Sequence, residues 1–448
     1  MRMYKKKIFT ALYLIVALVA MSLSSCKSDP GFSNPVKLSK TYLMLNISPV
    51  STRVSNPDEV TEMIESLRIV IIDTDNQVIE CNHYVPFNDS DISEPIPVSN
   101  FKYFYTWETF PGNKRVYLIA NEASVTNISL QPANGFTPPA NLPNNLPGIL
   151  NSDSFIAGLE TGGADFINIM NAIYFSPTYQ ADSNNDMFIP YVSFYDENIP
   201  TSASAGTDVI QFSTYIVPVA TKFSFRFNNY RSYKVYIDKI ELSGVNNSNF
   251  LFARVGTKDY TKSLTDQEGN TRTGIYWVDW LAQVSSLSNG YSGYYPNLGF
   301  NELYGWISDY SMPDQTELSP VSFVSTPADS PIPIPQIGVD GVTPGIVNFG
   351  PYYVPESKNL ITYTSKDENN NDVVVTEQAY YLTLGLSQDE RPGSQIPSFT
   401  NVAIENLRSL FRNTNVVITV NLNQGNVEIF GMVADWTEKS ANGWVVKE

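Results

Sequence analysis

Apolar residues in this chain recur mainly at every second position, which is the period of a half-buried β-strand and not of a helix. Leu43, Leu45 and Ile47 alternate with Met44 and Asn46, predicting a first strand that Ser48-Pro49 ends. The loop VSTRVSNPDE follows. Leu67 to Asp73, LRIVIID, is almost continuously apolar, as a strand covered on both faces must be; DTDNQ is its turn and VIECNHYV its return. PGNKRVYLIANEA predicts a further strand from Val116 to Ala120. From about Ser124 to Pro200 the chain is rich in Asn, Pro, Ser and Gly, which predicts long loops with one short helix near Phe166 to Ala172.

The strongest alternation is TYIVPVATKFSFRFNN, where Val217, Val219, Phe223, Phe225 and Phe227 share one parity. In YKVYIDKIELSGV the apolar parity shifts between Ile237 and Ile240, as a β-bulge requires. A domain boundary is expected near residue 215. Beyond it come the aromatic loops GIYWVDW and YSGYYPNLGFNELYGW, a proline-rich connector at SPIPIPQ and a hairpin around DENNND. The strands AYYLTLGL, NTNVVITVNL and NVEIFGMVADW follow, the last two joined by the turn NQGN. Val427, Ile429 and Val433 lie on one parity, and Phe430, Met432, Ala434 and Trp436 on the other. Both faces of that strand are therefore expected to be buried, as in a central or inserted strand. No internal repeat is visible.

The amino terminus follows a different logic. Arg2, Lys5, Lys6 and Lys7 precede an apolar run from Ile8 to Leu23, broken by Thr10 and Ser22, and small Ser24 and Ser25 come next: the layout of a secretory signal. At about 16 residues the run falls short of the ~20 that span a bilayer, so an uncleaved anchor helix is the lesser alternative. Leu23-Ser24-Ser25-Cys26 resembles the lipobox of bacterial lipoproteins, which implies cleavage between Ser25 and Cys26 and acylation of the Cys26 thiol. Two or more acyl chains, at ~0.8 kcal/mol per buried methylene, fasten a protein to a membrane. Of the two cysteines this leaves Cys81, so neither a disulfide framework nor a thiol zinc site is expected. Lys27, Ser28 and Asp29, next to the anchor, are compatible with an outer-membrane location.

Charge narrows the partners. The chain has 28 basic and 45 acidic residues; the signal holds four of the basic ones and none of the acidic, leaving 24 against 45, or −21. Such a field repels phosphate backbones and no basic stripe relieves it, so nucleic acid is excluded as a partner. Charged residues make up only 16% of the chain while Tyr and Phe are abundant, a mixture suited to strands joined by polar turns. The length accommodates two large all-β domains.

Candidate chemistry is sparse. His83 is the one histidine, and Cys81 and His83 stand on the same face of a strand, but no nucleophile elbow or oxyanion loop accompanies them, so a structural role is expected. The acidic turns at Asp73 to Asn76, Asp182 to Asp186 and Asp367 to Asp372 lack the glycine and terminal glutamate of a calcium loop and read as solvated turns. No cofactor is expected. Tyr276, Trp277, Trp280, Tyr294, Tyr295, Tyr304 and Trp306 can form a platform for sugar rings, or can pack loops and core as aromatics commonly do.

Several stretches together carry a family resemblance: the lipobox, the first strand with its arginine-containing loop, LRIVIID, VYLIANEA, VPVATKFSFRF, and the ending FRNTNVVITVNL to VEIFGMVADW. In that order and spacing they resemble the fimbrillin superfamily, the lipoprotein precursors of type V pili in Bacteroides-like bacteria. The resemblance implies two transthyretin-like β-sandwich domains with long loops, and assembly by β-strand exchange. It implies the following organisation: a signal peptide at 1–25, anchor segment and first strand at 26–53, an N-terminal sandwich at 54–215, and a C-terminal sandwich with its final strand segment at 216–448. Arg53 matches the place where a trypsin-like protease cuts such precursors, giving a new terminus at Val54 and removing the strand of Leu43, Leu45 and Ile47. An anchor subunit would instead keep strand and lipid, with Arg53 an ordinary loop residue. Val427, Ile429, Val433 and Trp436, with Trp444, Val445 and Val446 in the apolar tail, are the candidate donor strand; packing of the tail on its own domain is the alternative. The aromatic loops have no counterpart in the family pattern.

Two functions follow. The first is a structural or adhesive subunit of a surface fimbria, as stalk, tip or anchor, with other subunits or further copies as partners, the outer membrane held through lipid, and a host or bacterial surface ligand within reach. The second is a surface glycan-binding lipoprotein that uses Trp277, Trp280 and Trp306. Neither is an enzyme.

Overall fold

The computed structural model describes residues 41–49, 61–87, 95–132, 136–151, 163–177, 179, 181–200, 209–252, 254–255, 261–265, 271–275, 310–311, 320–325, 331–357, 360–366, 369–378, 380–387, 399–404, 410 and 412–435. The chain divides into Met1–Lys40 and Thr41–Glu448, and every described residue belongs to the second unit. As the alternation predicts, the class is all-β: strands dominate, and the α-helices among the described residues are two short ones.

In the first half the principal strands are β1 (Thr41–Pro49), β2 (Thr61–Ile64), β3 (Ser66–Asp73), β4 (Val78–Pro86), β5 (Tyr103–Thr109), β6 (Gly112–Ala120), β7 (Tyr191–Ile199) and β8 (Val209–Pro218). All but β2 join a seven-stranded sheet in the order β4-β3-β6-β7-β8-β1-β5. β8 is shared: Val209 to Ile216 run parallel to β1, while Val217 and Pro218 pair antiparallel with β7. The sheet thereby doubles back on itself, and Leu43, Leu45 and Ile47 of β1 meet Leu67, Ile69 and Ile71 of β3 and Val116 and Leu118 of β6 in one core.

β3 is buried at all eight positions, which is why its sequence is mostly apolar; its buried Arg68 and Asp73 are paired, with Glu122 and Lys114. Its second face, with Val70 and Ile72, is covered by helices α1 (Leu146–Asn151) and α2 (Gly163–Ala172). On α2, Phe166, Ile169 and Met170 recur at helical spacing and form the covering face. Gly163 permits the close approach that starts this helix: an added Cβ would stand 2.7 Å from Ile72 Cγ2 and 2.8 Å from the Gln77 carbonyl carbon.

The second half contributes β9 (Thr221–Asn229), β10 (Val235–Ser243), β11 (Val321–Ser325), β12 (Ile332–Ile334), β13 (Gly345–Val354), β14 (Leu360–Lys366), β15 (Asp372–Gln378), β16 (Tyr381–Ser387), β17 (Phe399–Ala403), β18 (Thr414–Leu422) and β19 (Val427–Asp435). A sheet β13-β9-β18-β19 faces a sheet β11-β10-β16-β17, with β12 also on β10. Between them lie Phe223, Phe225 and Phe227, Ile240 and Leu242, Leu382 and Leu384, and Val416, Ile418 and Val420. The register slips between Ile237 and Lys239 against β16, the bulge that the parity shift announces. The DENNND hairpin is present as β14 and β15.

Two expectations are corrected. The segment 124–200 is not loop with one helix: it holds α1 as well, and β7, which pairs with β6 over nine residues. SPIPIPQ is not a mere connector, since Ile332 to Ile334 pair with Ile237 to Val235; on a sheet edge Pro333 loses no ladder bond.

Candidate functional site

β1 is the first strand and also an interior one. It lies between β8, in parallel register from Tyr42↔Val209 to Pro49↔Ile216, and β5, in antiparallel register from Thr41↔Thr109 to Ile47↔Tyr103. Thr41, Leu43, Leu45, Ile47 and Pro49 are buried, and the residues between them are half-buried or exposed. Its sequence, TYLMLNISP, carries no charge, so it is held by main-chain ladders and apolar contact. Thr214 Oγ1 adds to these, donating to the Asn46 carbonyl at 3.3 Å. Without β1 the sheet has a slot as long as that strand, with unpaired main chain on β8 and β5 and empty places for three aliphatic side chains.

Beside the slot, edge strand β5 faces edge strand β4. Tyr105 stacks on His83 at 4.9 Å between centroids and on Trp107 at 6.4 Å, while the Tyr105 hydroxyl lies 3.3 Å from Cys81 Sγ. Burial pushes the Cys81 thiol up, against the Tyr105 hydrogen bond; burial and Cys81 together push the Tyr105 phenol up. A thiol held protonated is no nucleophile, and His83 spends its ring face on stacking. Among the described residues no group of three or more His, Cys, Asp or Glu side chains can hold a metal ion.

Two of the acidic turns are engaged by protein groups, and Asp367 of the third lies outside the described residues. Asp73 Oδ1 accepts from the Asn76 amide at 2.8 Å, and its Oδ2 accepts from Lys114 Nζ at 2.7 Å. Asp182 Oδ1 accepts from the amides of Asn184 and Asp186.

Two buried charged clusters join the two cores. Glu62, on β2, accepts from Lys222 Nζ of β9, Tyr353 OH of β13 and Tyr191 OH of β7, each at 2.8 Å. Arg412, just before β18, donates to the carbonyls of Leu251 and Phe250 at 2.8 and 2.6 Å and pairs through Nε and Nη2 with the Glu356 carboxylate. Sequence reading did not single out these residues. The signal available was a charge inside an apolar run, Lys222 before Phe223 and Arg412 after Phe411, but their partners lie 160 and 56 residues away.

Among the described residues β19 is an edge strand, not a central one. It pairs with β18 alone in its sheet, setting Val427 opposite Leu422, Ile429 opposite Val420 and Val433 opposite Val416. Val427 and Ile429 are half-buried against the core whereas Phe430 is 49% exposed, so the expectation of two buried faces fails here. An outermost hairpin strand has one face to solvent, and a large residue there simply remains exposed. Ser25, Cys26, Arg53, Val54, Trp277, Trp280, Trp306, Trp436, Trp444, Val445 and Val446 lie outside the described residues.

No protein-family model and no curated protein matches the chain. Among solved structures it is similar to the tip fimbrial protein Mfa3 from Porphyromonas gingivalis with C-terminal truncation, at 13% identity, covering 89% of this chain and 100% of that one, with a TM-score of 0.39. It is also similar to a fimbrial assembly protein from Parabacteroides distasonis, at 9% identity, covering 87% of this chain and 94% of that one, with a TM-score of 0.36. Both of these solved proteins are described as fimbrial, and at these TM-scores the likeness carries nothing beyond that similarity.

Proposed function

We propose that this chain is a structural or adhesive subunit of a cell-surface fimbria, made as a lipoprotein precursor and assembled by β-strand exchange. The observation that supports this most is β1 itself: an uncharged strand at the amino end of the described body, seated between two others with alternate side chains in the core. It continues into the 50–60 stretch, where Arg53 stands. In this reading a cut after Arg53 releases β1, and another subunit's strand takes its place through the same ladders and pockets. The candidate donor is the carboxy-terminal segment from Val427, with Val433, Trp436, Trp444, Val445 and Val446. Acylated Cys26 delivers the precursor to the outer membrane, and the two sandwiches correspond to 54–215 and 216–448.

Mass spectrometry of protein recovered from sheared surface material tests the reading. A peptide beginning at Val54 identifies a processed, polymerised subunit, and one retaining acylated Cys26 identifies an anchor. Recovery of nothing but monomeric full-length lipoprotein, with no fimbria lost on deletion of the gene, overturns it.

A further inference from the structure

The chain changes its mode of attachment between Pro49 and Thr61. Before that stretch, β1 carries no charged side chain and is held mainly by main-chain ladders and buried aliphatic side chains. After it, β2 stands outside the seven-stranded sheet, in a small ribbon between Asp186–Met187 and Ile96–Pro97. Its main chain is tied further: the Thr61 amide donates to the Asn185 carbonyl at 2.9 Å, and Asn121 Nδ2 donates to the Met63 carbonyl at 2.7 Å.

Glu62 adds three hydrogen bonds, two of them to side chains of the sheet that covers the other core. Its side chain is 12% exposed and that of Lys222 is 9% exposed, and Lys222 Nζ also lies 5.7 Å from the centre of the Tyr353 ring. Tyr353 in turn packs into the core that β1 helps to build. A carboxylate so placed does more than fill a turn: it bolts one short strand to both halves of the molecule.

We propose that Glu62 is a clasp that keeps β2 at the junction of the two cores when the chain is opened upstream, so that opening frees β1 without releasing β2. The proposal deepens the strand-exchange reading, since a precursor that sheds a strand must keep the next one in place. It gives Glu62, Lys222 and Tyr353 the role of positioning residues for the opened form. In the uncut chain the covalent link to β1 shares that task, and the clasp is partly redundant; after the cut it acts alone.

The test uses the full chain with a specific protease site placed in the 50–60 stretch, cut in the folded state and followed by hydrogen-exchange mass spectrometry. An engineered cut keeps the outcome independent of whether Arg53 is the native processing point. In the cut parent protein, exchange over 41–49 rises while exchange over 61–64 stays as in the uncut protein. With Glu62→Gln, exchange over 61–64 rises by about tenfold or more after the cut, the equivalent of one hydrogen bond to a charged group, and much less before it. Lys222→Met and Tyr353→Phe weaken the clasp from the opposite side, and serve if Glu62→Gln fails to fold. Release of 61–64 together with 41–49 in the cut parent overturns the proposal, as does an equal effect of the variants on cut and uncut protein.

Discussion

Arg412 has its guanidinium enclosed by Glu356 and two main-chain carbonyls, with both charged side chains 1% exposed. Removing one partner of such a pair strands a charge in a medium that solvates it poorly, so Arg412→Met is expected to cost about 3–5 kcal/mol in urea denaturation. The double variant Arg412→Met/Glu356→Leu should recover a large part of that loss, because no charge is then left behind. Asp73 makes a prediction of the opposite kind, about pH. Burial raises its carboxyl, but the hydrogen bonds from Lys114 and Asn76 outweigh that, and its pKa is lowered. The folded state therefore favours the charged form: the stabilisation is complete above the ordinary aspartate range and is lost as pH falls through the lowered value. The stability difference between the parent and Asp73→Asn should be constant near neutrality and close below about pH 4. These contacts were not legible beforehand, because a residue's partner across 56 or 41 positions leaves no mark in its neighbours' pattern.

At the scale of the element, β1 carries the functional reading, and its sequence alone was enough to find it. Strict alternation named Leu43, Leu45 and Ile47 as its inward side chains, and all three are 0–1% exposed. Leu45→Ala is expected to destabilise the uncut protein by about 2–5 kcal/mol in chemical denaturation. Alternation could not say that β1 is interior, or which strands flank it. That matters because among the described residues β5 has β1 as its one sheet neighbour, so losing β1 loosens β5 and the Tyr105 ring over Cys81. In protein with Cys26→Ser, maleimide should therefore modify Cys81 slowly in the full chain and far faster in a chain begun at Val54. Equal rates would mean that β5 holds its place without β1.

For the whole molecule, the two halves meet through polar clusters and through Tyr353, which stands on β13 of the second half and packs into the core of the first. Such a junction should make them unfold together. A single thermal transition is expected by calorimetry, and Tyr353→Ala should resolve it into two. The net charge of −17 acts at the same scale, as a field that turns polyanions away.

What the sequence by itself determined was what depends on near neighbours: the period-2 strands, the doubly covered run of β3, the bulge near Ile237, and the NQGN and DENNND turns. What only the tertiary structure decided was adjacency: the doubling back of the sheet at β8, the interior place of β1, the edge place of β19, and the Glu62 and Arg412 clusters. The reason is physical. Alternation records which face of a strand meets apolar surroundings, and any strand of suitable length supplies those equally well. The choice among candidate neighbours is made by the packing of the whole chain, where a contact such as Glu62 to Tyr353 closes over 291 residues.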